Sequence, residues 1–95
     1  MPEVIEGYGD MEEFICDDSI DSWTLSCNGE PTIATVTMPV VDEDNGFVSV
    51  GRLKYRVYIS DIIGYKIVRY KHADIFQCDY SICVIDVKEG WRGYE

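Results

Sequence analysis

No lysine or arginine occurs between Met1 and Val50, although twelve Asp or Glu do. All eight bases fall between Gly51 and Glu95, against six acids. The halves therefore carry formal charges of −12 and +2, within a chain of net charge −10. Phosphates are repelled by a surface of that sign, which argues against direct binding to nucleic acid or anionic membrane. Histidine is scarce too: His72 stands alone, with Asp74 two residues on. A nucleophile, a base and an orienting group must converge for Ser-His-Asp or Cys-His chemistry, and this pair gives no such set. His72 reads as an exposed residue at a strand end.

Metal and cofactor signatures are equally missing. The four cysteines, Cys16, Cys27, Cys78 and Cys83, contain no C-x2-C pair. Cys78 and Cys83 lie an odd number of residues apart, so in one strand they face opposite sides. Ile15, Leu25, Ile82 and Val84 lie close to Cys16, Cys27 and Cys83, as expected of buried thiols. Asp42-Glu43-Asp44-Asn45-Gly46 fails the calcium-loop register, because Phe47 stands where glycine belongs and Leu53 where glutamate belongs. Gly7-Tyr8-Gly9 is too short for a dinucleotide fingerprint. No cofactor and no metal are expected, and the reading is non-enzymatic.

No apolar run approaches the ~20 residues of a membrane span. Residues 1–10 have neither a basic nor an apolar region of the secretory kind. The expected location is the cytoplasm, including that of a host cell. In that compartment the thiols stay reduced.

What is present is apolar material enough for one core: 46% hydrophobic residues and 13% aromatics in 95 residues. One domain over 1–95 is expected, with 1–9 and 88–95 as loose ends. Asp10 and Glu13 have the spacing of a capping box, and Met11, Phe14 and Ile15 fall on one stripe, which predicts a short helix ending near Asp17. Everything after it patterns as β. Trp23, Leu25 and Cys27 alternate with Thr24 and Ser26, and Asn28-Gly29 suits a type I′ turn. Thr32 to Val41 returns the chain, with Pro31 and Pro39 marking an edge. In Phe47 to Ser60, Leu53, Tyr55, Val57 and Ile59 point one way and Arg52, Lys54, Arg56 and Tyr58 the other, with a break at Gly51. Tyr65 to Lys71 and Tyr80 to Val87 complete the set, the last being apolar enough to be central. The expected class is α+β: a mostly antiparallel five-stranded sheet, or a small partly open barrel, with one short N-terminal helix.

Two features point outward. The acids Asp10, Glu12, Glu13, Asp17, Asp18 and Asp21, joined by Asp42, Glu43 and Asp44, form an array with no base among them. A merely soluble surface mixes both signs. Carboxylates so arranged occupy the places of phosphates in a basic groove, and long-range attraction speeds the encounter. Trp91 and Tyr94, with Arg92 between them, are residue types that anchor interfaces. The later bases with Tyr58 and Tyr70 read as a polar outer face that complements the acidic half.

The expected function is an acidic, protein-binding inhibitor that mimics nucleic acid, of the kind phages and mobile elements make. Its target is a basic nucleic-acid-handling protein such as a nuclease, a restriction or CRISPR effector, or a polymerase. The alternative is an assembly module, a homodimer or larger, built through sheet edges and the Trp91/Tyr94 tail.

Overall fold

A computed structural model of the chain describes residues 3–7, 18–51, 55–73 and 78–93. Eight strands lie among them: β1 (Glu3–Gly7), β2 (Ser22–Cys27), β3 (Glu30–Thr35), β4 (Val40–Asp42), β5 (Phe47–Val50), β6 (Tyr55–Tyr58), β7 (Ile62–Ala73) and β8 (Cys78–Val87). A single 3-10 turn, Ile59–Asp61, joins β6 to β7. No helix among the described residues is long and apolar enough to cross a membrane.

The turns follow from local chemistry. Asn28 and Gly29 both adopt positive φ, 54° and 82°, and this two-residue turn sets Cys27 opposite Glu30. That backbone twist matches the right-handed twist of the flanking strands, which is why Asn-Gly suits it. Between β4 and β5 the chain turns through residues 43–46, with Gly46 at φ 74°.

The strands form two sheets. The larger has the order β1-β7-β8-β2-β3 and the smaller β4-β5-β6. β7 and β8 pair antiparallel along most of their length. β2 then lies parallel to β8, with Ser22 opposite Ile82 and Cys27 opposite Val87.

Alternation decides what is buried. Trp23 and Leu25 of β2, Ile67 of β7, and Cys83, Ile85 and Val87 of β8 share one side of the large sheet. They meet Val48, Val50 and Val57 of the small sheet and the preceding Ile20 in one core. The small sheet therefore packs on one face of the large one, and both contribute apolar side chains to a common interior. Trp23 Nε1 is buried there without a hydrogen-bond partner among the described residues.

The α+β expectation is overturned. Among the described residues the protein is all β, with eight strands in two sheets, and the large sheet is mixed because of the β2–β8 pair. The helix expected over 10–17 lies outside the described residues. The stretch read as one strand from Thr32 to Val41 divides into β3 and β4, which belong to different sheets. Residues 36–39 bend between them. Val40 begins a new pairing with Ser49, while Thr35 closes the old one with Trp23. Neither a barrel nor a single antiparallel sheet results, because the β-branched pattern specifies a strand without naming its neighbour.

The core assignment is testable. Leu25, 2% exposed, sits at the centre of the cluster. Leu25→Ala is expected to lower the unfolding free energy by about 2–5 kcal/mol in urea titration. Val36, 89% exposed, is the control: Val36→Ala is expected to stay within about 0.5 kcal/mol of the parent.

Candidate partner-binding surface

The acids of the first half serve two purposes. Asp18 is exposed in the turn before Ile20. Asp21 is exposed, yet it ties β2 to β8: its amide donates to the Ser81 carbonyl at 2.9 Å. The Ser81 amide in turn donates to the Asp21 carboxylate at 2.7 Å. Such reciprocal bonds satisfy backbone groups at the start of a parallel pair.

Asp42 closes the next turn. Its carboxylate accepts from the Asn45 amide at 3.1 Å and from Asn45 Nδ2 at 2.9 Å, and its carbonyl accepts from the Gly46 amide at 2.9 Å. The Asn45 side-chain bond, followed by the Asn45 backbone bond, holds the Asp42 carboxyl below the usual carboxylate range. Glu43 and Asp44 are left exposed at the turn.

These two groups of acids sit at opposite ends of β8. Asp21 bonds Ser81, near its start. The 42–46 turn is linked to the other end through two bonds, Ile59 amide to Gly46 carbonyl and Lys88 amide to Asp61 carbonyl, each 2.9 Å. From Ser81 to Val87 a strand rises about 20 Å. Asp18 and Asp21 are thus well separated from Asp42, Glu43 and Asp44. Asp10, Glu12, Glu13, Asp17 and Tyr94 lie outside the described residues.

The bases and the tail take other positions. Arg56 and Tyr58 are exposed on β6, as alternation implied, while Arg52 and Lys54 lie outside the described residues. The Arg56 guanidinium stands 5.1 Å from the centre of the Phe47 ring, and that of Arg92 stands 4.3 Å from the centre of the Tyr58 ring. Trp91 is half-buried against the core. Gly93 lies so close to the Trp91 ring that an added Cβ would overlap it. Part of the Trp91 surface is therefore already committed within the molecule.

What holds that tail is Asp61, the last residue of the 3-10 turn between β6 and β7. Its side chain is 1% exposed. Oδ2 accepts from the Arg92 amide at 2.9 Å, Lys88 Nζ lies 3.2 Å from Oδ1, and Arg92 Nε lies 3.7 Å from Oδ2. The Arg92 amide bond, more than the two nearby cations, holds the carboxyl below the usual range despite burial, which opposes it. The cations themselves are exposed, so they keep most of their hydration while compensating the buried charge. An Asp before an apolar strand carries no sequence signal of this role, because its partners lie more than twenty residues away.

Cys27 and Cys83 are free. Burial, and secondarily the Asp86 charge, pushes the Cys83 thiol up to about 12, so its nucleophilic thiolate is scarce at neutral pH. Among the described residues no group of three or more His, Cys, Asp or Glu is placed to hold a metal ion. No family model matches the chain, and neither a curated protein nor a solved structure does.

Two outcomes follow from these environments. The depressed value of Asp61 means that its contribution to stability is present above the ordinary carboxylate value of about 3.9 and is lost as pH falls through the folded-state value. Asp61→Asn is therefore expected to lower the urea midpoint at neutral pH and to flatten the acid limb of the stability curve. Asp42 retains a share of that limb, its shift having the same sign. Parallel parent and variant curves would refute the assignment. Native-state alkylation followed by mass mapping is expected to leave Cys83 unmodified until the protein is unfolded.

Proposed function

We propose that the protein is a non-enzymatic binding module whose acidic surface engages a basic nucleic-acid-handling protein and blocks its groove. The observation that carries this reading is charge segregation. Twelve acids precede the first base, and Asp18, Glu30, Glu43 and Asp44 are exposed on the folded surface. Separation of the acids along β8 suits an extended groove better than a point contact, since a phosphate backbone presents charge along its whole length. An inhibitor from a phage or mobile element, directed at a nuclease, a restriction or CRISPR effector, or a polymerase, fits this chemistry.

The test is capture from cell lysate, washed at rising salt, with mass spectrometry of what is held. Basic nucleic-acid-binding proteins are expected to be retained at low salt and released as the charges are screened. Reversal of Glu12, Glu13, Asp17 and Asp18 to lysine, together with Glu43→Lys and Asp44→Lys, is expected to abolish retention while the circular dichroism spectrum stays unchanged. Equal retention by the reversed protein would end the proposal. Recovery of the protein alone, as a dimer or larger, would transfer support to the assembly reading.

A further inference from the structure

The two sheets have consecutive outermost strands. β3 ends the large sheet and β4 ends the small one, and the chain passes directly from one to the other. Among the described residues no strand pairs with the far side of either. Nor, among the described residues, does any backbone bond outside the strands involve residues 36–39. Proteins usually blunt such edges with charges, prolines or cover, since unpaired N–H and C=O groups template another strand. Here the eleven residues from Pro31 to Val41 contain no charge at all. Pro31 and Pro39 bracket Thr32 to Met38, every one of which has a backbone amide.

The side chains add a second signal. Val36 is 89% exposed, Met38 42% and Val40 54%. Thr35 and Pro39 are buried, and Val41 packs on the core. The solvent side of this ribbon therefore carries Val36, Met38 and Val40 beside the exposed Thr37, with no charge among them, unlike an ordinary solvated edge. One exposed valine needs no explanation, but three apolar residues in a row of alternate positions beside an open edge form a patch.

We propose that this ribbon receives an extended segment of a basic partner chain by strand addition. The segment's main chain pairs with the open edge of β3 from Thr32 to Thr35, and its apolar side chains cover Val36, Met38 and Val40 where the chain bends toward β4. Its flanking Lys or Arg residues meet Glu30 at one end and Glu43 and Asp44 at the other, all three exposed. For the partner's sign of charge the proposal rests on the function proposed above, and it names the mode of binding.

A second copy fits this edge poorly. Antiparallel self-pairing about Val36 sets Glu30 of one copy against Asp42 of the other, and parallel pairing sets each acid on itself. Both registers also bring together molecules of net charge −10. A basic segment turns the same flanking acids from repulsive to attractive.

The probe is a short synthetic peptide of alternating valine and threonine with paired lysines at each end. Its controls are the same peptide with glutamates for lysines and one N-methylated at alternate residues. Titration is followed by amide chemical shifts of the protein. The lysine peptide is expected to bind, with shifts concentrated in Thr32 to Met38, and both controls to bind at least about tenfold more weakly, a difference of about 1.4 kcal/mol. Val36→Lys with Met38→Lys is expected to weaken binding similarly, with an unchanged melting temperature because both side chains face solvent. No binding, equal binding of the glutamate peptide, or shifts confined elsewhere would overturn the proposal. So would self-association of the parent that the double variant abolishes. If the peptide fails while basic proteins are still captured through the acids, strand addition falls and the acidic-surface reading stands.

Discussion

The chain changes sheets twice, and at the second crossing, from β6 to β7, a single buried carboxylate organises the junction. β6 belongs to the small sheet and β7 to the large one, and only Ile59 to Asp61 separates them. The backbone at this junction is tied on both sides: Ile59 to Gly46 in the β4–β5 turn, and Asp61 to Lys88 just after β8. The Asp61 carboxylate then fastens Arg92, which lays its guanidinium on Tyr58 of β6. A charge at 1% exposure is tolerable because donors surround it, and those donors must stay in place to keep it so. The placing of Lys88 and Arg92, on either side of Trp91, depends on that mutual requirement.

That junction also explains why the acids do not act alike. Asp21, Asp42 and Asp61 spend their carboxylates on backbone groups that the fold leaves unpaired. Asp18, Glu30, Glu43 and Asp44 remain turned to solvent. Exposure places the second set where a partner's charges can reach it. Net charge is thus a poor measure of a binding surface, because identical side chains divide between holding turns and presenting charge. The exposed acids flank an uncharged edge with apolar side chains outward, and the combination offers shape, hydrogen bonds and charge together.

Much of the local structure was legible from residues. Asn28-Gly29 announced its turn because both residues tolerate positive φ. The alternation that put Trp23, Leu25 and Val57 on inward faces marked buried positions correctly, since a strand has only two faces. The central place of β8 was also readable, but the stretch from Phe47 to Ser60, read as one strand interrupted at Gly51, is two antiparallel strands, β5 and β6, paired with each other. Less was visible of the candidate site. The exposure of Asp18, Glu43 and Asp44 agrees with their polarity, but the seating of Trp91 under Gly93 and the role of Asp61 had no local trace.

The sequence by itself determined the period-two pattern, the Asn28-Gly29 turn and the division of charge between the halves. Each is a property of neighbouring residues or of composition. Only the tertiary structure decided that Thr32 to Val41 serves two sheets, that β2 lies parallel to β8, and that the two acidic groups stand at opposite ends of that strand. Strand pairing is made by backbone groups that every residue shares, so side chains say where a strand runs and which face it buries. Its neighbour is chosen by the packing of the whole core.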